Sequence, residues 1–300
     1  MSRSPAPRPG RHAALALPAA ALLALVAVSA PAAVAGQDGP VRLRLEARQG
    51  ETATYRFENT THVTPPPSMG METTADVTVV LRRRVEEVEG DTIRFVSTVE
   101  DYRLDLESES QDVRSQLRGM AEKSRRDALG SEFPIAVTRR GEVLRIGERA
   151  GAAGGGSRLE QSLRQLTFVT LPREPVSAGD RWESRDTMDA SAFRIPVEGQ
   201  VAVRSVATLQ RIFRRDGGRV AEIGVESTFD FRPSDTGQQM MKVEMTGSSA
   251  QTVRFDVDRG RFLSSSGAQD FTVNLSLPGQ VEGSFTVQGN SESSATLVED

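Results

Sequence analysis

The chain has 300 residues, of which 37% are hydrophobic and 26% charged, a balance that supports a packed core and excludes wholesale disorder. It contains no cysteine, which excludes disulfides, thiol catalysis and cysteine-ligated metal sites. The formal net charge of −4 argues against a nucleic-acid partner, because such proteins neutralise phosphates with a basic face. No cofactor is predicted.

The N-terminus has the pattern of an export signal. Three arginines precede an apolar run at residues 13–30, and Ala33 and Ala35 then supply the small-residue spacing of a cleavage site. We predict a signal peptide over residues 1–35, with a periplasmic or extracellular product of net charge −7 that is peripheral to a membrane at most. The alternative is an uncleaved membrane anchor, since a span needs about 20 residues.

The first half of the chain alternates apolar and polar residues, the period of a half-buried strand. Three prolines at residues 65–67 interrupt this pattern because they remove backbone donors. The predicted strands cover residues 41–47, 52–64, 73–89 and 92–106.

A helical period follows. Residues 112–129 carry apolar side chains at helical spacing, and Gly130 ends this predicted amphipathic helix. A hairpin is predicted from residues 133–138 and 143–146, followed by a flexible glycine-rich linker at residues 151–157. Leu159, Leu163 and Leu166 mark a second short helix.

The stretch from Leu171 to Trp182 contains the only tryptophan, two prolines and the Gly179-Asp180 turn. It predicts a joint between an N-terminal β-rich half with two helices, residues 36–170, and an all-β half, residues 171–300. One continuous domain over residues 41–298 is the alternative. Beyond the joint, strands are predicted at residues 181–187, 195–213, 220–231, 240–257, 261–277 and 281–298.

The two halves share short sequence patterns. A glycine followed by an acidic residue precedes a strand with an aromatic residue near its start in both halves, at Gly50-Glu51 and at Gly179-Asp180. A glycine also lies in a tight hairpin in each half, at Gly141 and at Gly260. Duplication explains this pattern, and so does the independent need for glycine in tight turns. The predicted fold is mainly β (α+β): a large curved antiparallel sheet or incomplete β-barrel of about 11–13 strands, covered by two helices, with two repeated halves as one option.

Catalytic signals are weak. His62 is the only histidine outside the predicted signal peptide, and no G-x-S-x-G elbow occurs. The acidic residues between positions 86 and 105 are interleaved with arginines, which is typical of ion pairs on a solvated sheet face. We therefore predict a chain that is not an enzyme and holds no metal, with an envelope hydrolase as the least favoured alternative.

Flexible methionines suggest a ligand site, because thioethers adapt to varied apolar ligands. We predict that the chain binds an apolar or amphipathic ligand, such as a lipid, in the cell envelope. The alternatives are ordinary packing of these residues, or a structural protein whose sheet edges pair with partners that the sequence does not identify. The candidate ligand-binding residues are Met69, Met71, Leu117, Met120, Leu163, Leu166, Met240 and Met241.

Through Leu171-Pro172 and Gly179-Asp180-Arg181-Trp182, with the strand pairs around them, the chain resembles an uncharacterised family of bacterial secreted proteins that carries a domain-of-unknown-function label. More distantly, the long strands and capping helices look like half-barrel lipid and lipoprotein carriers of the LolA and LppX type. That resemblance implies an apolar cavity that shields acyl chains. The chain departs from the lipoprotein members because it lacks an acylated cysteine, and no site residue is carried over.

Overall fold

The computed structural model describes residues 39–64, 72–108, 111–147, 169–189, 199–233, 242–276 and 284–299. These residues form one antiparallel sheet of 11 strands that stays open, and one α-helix. The strands are β1 (Thr52–Thr64), β2 (Thr73–Glu89), β3 (Thr92–Ser108), β4 (Glu132–Thr138), β5 (Val143–Ile146), β6 (Arg181–Asp189), β7 (Gly199–Arg215), β8 (Gly218–Pro233), β9 (Lys242–Asp256), β10 (Arg261–Ser276) and β11 (Ser284–Glu299).

The strand order divides the sheet into two wings. In space the order is β5-β4-β3-β2-β1-β11-β10-β9-β8-β7-β6, so β1 and β11 pair at the centre while β5 and β6 form the edges. Strands β1 to β5 come from the predicted N-terminal half and β6 to β11 from the C-terminal half. The prediction of a mainly β fold built on a large antiparallel sheet is confirmed.

Each strand presents one apolar face, which we call the inner face, and one polar outer face. On β1, Tyr55 and Phe57 are buried on the inner face, whereas Arg56 and Glu58 are exposed on the outer face. Successive side chains of a strand point to opposite faces, so the alternation in the sequence sets the orientation of every strand.

The described helix, α1 (Gln111–Ala128), begins and ends within a residue of the predicted limits. It packs against β3, where Arg125 lies 3.9 Å from Asp101. No helix in the described part of the chain is long and apolar enough to cross a membrane. The second predicted helix, with Leu163 and Leu166, and the glycine-rich linker lie outside the described residues.

The prediction of a strand at residues 41–47 is wrong in one respect. This segment is extended, and Val41, Leu43 and Leu45 are buried as the alternation predicts. It joins the sheet through no ladder, however, and forms a single bridge, to Val176. The segment crosses the end of the sheet instead of pairing along a strand, and its apolar side chains pack into the core from that position.

Two crossing segments, residues 39–50 and 169–180, connect the wings at one end of the sheet. In the first, the Leu45 amide donates to the Arg139 carbonyl of one wing at 2.7 Å, and the next amide donates to the Gly260 carbonyl of the other wing at 2.8 Å. In the second, the Leu171 amide donates to the Arg140 carbonyl at 2.7 Å, and the Gly179 amide donates to the Leu209 carbonyl at 2.7 Å.

The core lies at this crossed end and shows that the sheet is curved. Ile93 of β3 and Ile223 of β8 are fully buried in one cluster, although six strand spacings separate them, roughly 29 Å in a flat sheet. Only a curved sheet brings both inner faces to one core. The cluster comprises Val41, Leu43, Leu45, Val85, Ile93, Phe95, Ile135, Val137, Leu171, Val176, Ala207, Leu209, Ala221, Ile223, Val225, Val253, Phe255 and Phe262.

Candidate ligand cavity

A cavity of about 820 Å³ lies against the inner face of the second wing. Its floor comes from β7 to β11 and β1, and its wall comes from β6, the β4–β5 turn and the second crossing segment. The floor residues are Asn59, Val203, Ser205, Ala207, Val225, Ser227, Phe229, Ser249, Gln251, Gly267, Gln269, Ser291 and Ser293.

A row of hydroxyl and amide side chains crosses this floor and continues to Ser184 on the wall and to Thr61 beyond the lining. The register pairs seven inner-face residues one after another across seven neighbouring strands, at spacings of about 4.8 Å. All seven are half-buried. The row, which we call the polar row, comprises Ser184, Ser205, Ser227, Ser249, Gln269, Ser291 and Thr61 in spatial order.

Members of the polar row bond to one another and to the next row. The Ser205 and Ser227 hydroxyls are 2.8 Å apart. The Thr61 hydroxyl donates to the Asn59 side-chain oxygen at 2.8 Å. A hydroxyl can donate one hydrogen bond and accept two, so even the bonded serine pair keeps capacity for a ligand.

Aromatic rings and glycines alternate in the adjacent row, farther from the crossed end. Phe229 pairs with Gly247, which pairs with Phe271, which pairs with Gly289. A Cβ atom on Gly247 would overlap the Phe229 ring, and one on Gly289 would overlap the Phe271 ring. Each ring therefore lies across its neighbouring strand, and Phe229 contributes an apolar surface to the cavity beside the polar row.

This aromatic row belongs to an apolar cluster that continues away from the crossed end. Its buried members come from β7, β8 and β9, and its partly buried members come from β7 and β10. The cluster, which we call the upper cluster, comprises Val201, Val203, Phe229, Phe231, Val243, Met245, Phe271, Val273 and Leu275.

Trp182 supports the wall of the cavity. Its ring nitrogen donates to the Thr170 carbonyl of the crossing segment at 2.7 Å. Arg140 braces the same segment, because its Nε donates to the Leu171 carbonyl at 3.0 Å while its guanidinium pairs with Glu142 at 2.6 Å. The wall is thus tied to both edges of the sheet.

Charge is confined to the wall. The side chains of the floor are all neutral, whereas the wall contains four arginines and four acidic residues. The formal charges of the lining therefore cancel at neutral pH. The charged lining residues are Arg140, Glu142, Arg173, Glu174, Arg181, Glu183, Arg185 and Asp186.

The groups with shifted pKa values lie elsewhere. Hydrogen bonds from Arg211, with a further contribution from Arg254, hold the pKa of Glu222 below its ordinary value, and burial opposes this shift only in part. Arg219 lowers the pKa of Asp258 in the same way, at the β9–β10 turn. These acids sit in ion pairs that join neighbouring strands, and neither lines the cavity.

Most of the ligand-binding residues predicted from the sequence are not described. Met69, Met71, Leu163, Leu166, Met240 and Met241 lie outside the described residues, and Leu117 lies in α1 at a position whose side chain is not described. Met120 is 56% exposed on α1 and does not line the cavity.

The sequence did contain a signal for the observed cavity. On β8 the inward positions are apolar near the crossed end and turn to serine at Ser227. On β9 and β11 they turn polar one inward position earlier, at Gln251 and Ser293, and continue with Ser249 and Ser291. A small polar residue at an inward position breaks the apolar alternation, and three such breaks in register mark one site. The register itself was needed to align them.

His62 does not line the cavity. His62 is exposed on the outer face, where its Nδ1 lies 3.0 Å from the Thr74 hydroxyl. Among the described residues, no group of three or more histidines, cysteines and acids could hold a metal ion.

Comparison with protein-family models and with curated proteins finds no match. Among solved structures, the chain is similar to lipovitellin, at 12% identity and a TM-score of 0.41 over 84% of this chain. The chain spans only 25% of that lipovitellin chain.

Two other similar structures come from the outer membrane. One is a channel from Pseudomonas putida F1, at 9% identity and a TM-score of 0.26 over 85% of this chain and 97% of that chain. The other is a loop-deletion mutant of OmpT from Vibrio cholerae, at 8% identity and a TM-score of 0.19 over 84% of this chain and 100% of that chain.

Proposed function

We propose that the chain is a non-catalytic protein of the bacterial cell envelope that binds an amphipathic ligand in the inner-face cavity. The observation that carries this proposal is the change of chemistry along the floor. The polar row can hydrogen-bond a head group, and the aromatic–glycine row beside it offers an apolar surface for a hydrocarbon chain. Protein sites for small molecules commonly combine an apolar lining with a few placed polar groups.

The size of the cavity supports the same proposal. A volume of about 820 Å³ lies within the range of roughly 300–1,000 Å³ that ligand sites occupy. The wall is bonded to both edges of the sheet through Trp182 and Arg140, so the site is formed before a ligand arrives. A preformed site avoids the free-energy cost of ordering its side chains on binding.

Native mass spectrometry tests this function. The protein is exported in a bacterial host, purified without detergent, and examined before and after incubation with phospholipids, glycolipids and fatty acids. We expect a discrete added mass of one ligand that dissociates on collisional activation. A bare monomer under every condition would contradict the proposal.

Two serines at adjacent positions provide a matched pair of variants. Ser249 lines the cavity, whereas Ser248 is exposed on the outer face of the same strand. Ser249→Trp places a large side chain in the cavity and should abolish the adduct. Ser248→Trp should leave it unchanged, and circular dichroism confirms that both variants fold. Loss of the adduct in both variants would place the ligand elsewhere.

A further inference from the structure

We infer that the head group bound by the polar row is neutral and rich in hydroxyl groups, so that the ligand is a glycolipid or a related glycoside rather than a phospholipid or a fatty acid. This inference rests on the proposed function, because it specifies the ligand of the same cavity. It follows from the chemistry, the spacing and the charge of the lining.

The chemistry of the floor favours a neutral partner. The floor offers serine hydroxyls together with the amides of Asn59, Gln251 and Gln269. Hydroxyls and amides both donate and accept hydrogen bonds, as sugar hydroxyls do. A phosphate or carboxylate only accepts hydrogen bonds, so it would use the donors of the row and leave the acceptor capacity of the row without a partner, whereas a sugar hydroxyl can use both.

The charges of the wall do not favour an anion. Phosphate and carboxylate groups are recognised by arginines that are available for paired hydrogen bonds. Here the four wall arginines are equalled in number by four wall acids. Arg140 and Glu142 pair at 2.6 Å, and Glu183 pairs at 3.0 Å with Arg204, which lies outside the lining. The cavity therefore has no net positive charge with which to hold an anionic head group.

The spacing of the row suits an elongated partner. Seven polar side chains follow one another at about 4.8 Å, the spacing of neighbouring strands. A ligand laid along the row would meet a new hydroxyl or amide at each strand. Val203 and Phe229, the members of the upper cluster that line the cavity, lie directly beside the row, so a hydrocarbon tail attached to the sugar would lie on these two side chains.

Three probes with the same twelve-carbon chain separate the head groups: dodecyl maltoside, dodecylphosphocholine and laurate. Titration calorimetry of the full chain is carried out with each probe below its micelle concentration. We expect dodecyl maltoside to bind at least about tenfold more tightly than the other two. Equal affinity for all three would overturn the inference while leaving the proposed function intact, and binding of none would overturn the proposed function itself.

Paired serine variants test whether the polar row causes the preference for the maltoside head group. Ser227 and Ser249 pair across β8 and β9 on the inner face, and Ser266 and Ser294 pair across β10 and β11 on the outer face. Ser227→Ala/Ser249→Ala should weaken maltoside binding about tenfold and change laurate binding less than about twofold, because two hydrogen bonds are lost. Ser266→Ala/Ser294→Ala should change neither. An unchanged maltoside affinity in the inner pair would overturn the inference.

Maltose alone distinguishes a glycolipid from a free saccharide. We expect maltose to bind much more weakly than its dodecyl derivative, because it lacks the chain that would lie on the upper cluster. Binding of maltose as tight as that of dodecyl maltoside would support the hydroxyl-rich head group and overturn the amphipathic ligand.

Discussion

Glu46 passes directly beneath Gly260: its amide donates to the Gly260 carbonyl at 2.8 Å, and a Cβ atom on that glycine would lie 2.6 Å from the Glu46 nitrogen. Gly260 also adopts a φ of 64°, which L side chains disfavour. The β9–β10 turn can therefore hold the first crossing segment only because this position lacks a side chain.

Replacement of Gly260 by alanine should destabilise the fold strongly. The left-handed backbone costs about 1–2 kcal/mol and the overlap with Glu46 about 1–3 kcal/mol more. Gly217→Ala is the matched control, because Gly217 has a φ of 81° and open space around its Cβ position. We expect urea unfolding to show a clearly larger loss for Gly260→Ala, and equal losses would contradict the close approach.

Glu222 should make stability depend on acid pH. Its lowered pKa means that its ion pairs stabilise the fold above the ordinary glutamate pKa, and that this stabilisation is lost as the pH falls through the folded-state pKa. Glu222→Gln should reduce the free energy of unfolding by about 1–3 kcal/mol at pH 7 and by less at about pH 3. Urea unfolding at the two pH values measures the difference.

Glu226→Gln serves as the control for this experiment, because Glu226 is exposed on the same face of the same strand. Its free energy of unfolding should stay close to that of the unmodified protein at both pH values. A loss in Glu222→Gln that is the same at pH 7 and pH 3 would show that the carboxylate charge contributes nothing.

Arg83 should act mainly as a packing residue. It is only 6% exposed, and its guanidinium lies 4.9 Å from the centre of the Tyr55 ring and 5.4 Å from that of Phe95. Desolvation by burial lowers the pKa of Arg83, because burying the charged guanidinium costs free energy. Arg83→Ala should therefore lose about 2–4 kcal/mol through lost packing, and Arg83→Met less than about 1.5 kcal/mol.

The neighbouring Arg82 provides the control for Arg83. Arg82 is exposed and pairs with Glu100 at 3.1 Å, and exposed pairs contribute at most about 1 kcal/mol. Urea unfolding at pH 7 compares Arg83→Ala, Arg83→Met and Arg82→Ala. If Arg83→Met proves as costly as Arg83→Ala, the guanidinium charge, and not its packing, stabilises this part of the core.

Trp182 should report ligand binding directly. It is the only tryptophan of the chain, it lines the cavity, and it is half-buried. A bound ligand should shield the indole, so acrylamide quenching should fall as dodecyl maltoside is added. In the Ser249→Trp variant a second indole complicates this readout, so the Ser227→Ala/Ser249→Ala variant is the control. Quenching that saturates at the same maltoside concentration in this variant would contradict a contact with the polar row.

Alternation along the chain was sufficient to predict most strands. Residues 52–64 and 73–89 coincide with β1 and β2, because a strand with one buried face requires an apolar residue at every second position. The helix at residues 112–129 was equally clear from its period. Sequence-local patterns of this kind depend only on which face of an element meets the core.

The same alternation led to a wrong prediction of a strand at residues 41–47. Val41, Leu43 and Leu45 are buried as predicted, yet the segment crosses the end of the sheet. An alternating pattern shows that one face of an extended segment is buried, and it does not show whether a strand ladder or a sheet end buries it. That distinction required the contacts with Arg139 and Gly260, residues distant in the chain.

The cavity depended on the tertiary structure for a related reason. Ser205, Ser227 and Ser249 are about 22 residues apart in sequence, and the local sequence around each serine does not indicate a site. Strand register aligns them into one row, and the curvature of the sheet turns that row towards a wall built around Trp182. Strand faces follow from local alternation, whereas a site made of one residue per strand exists only once long-range pairing has fixed which residues are neighbours.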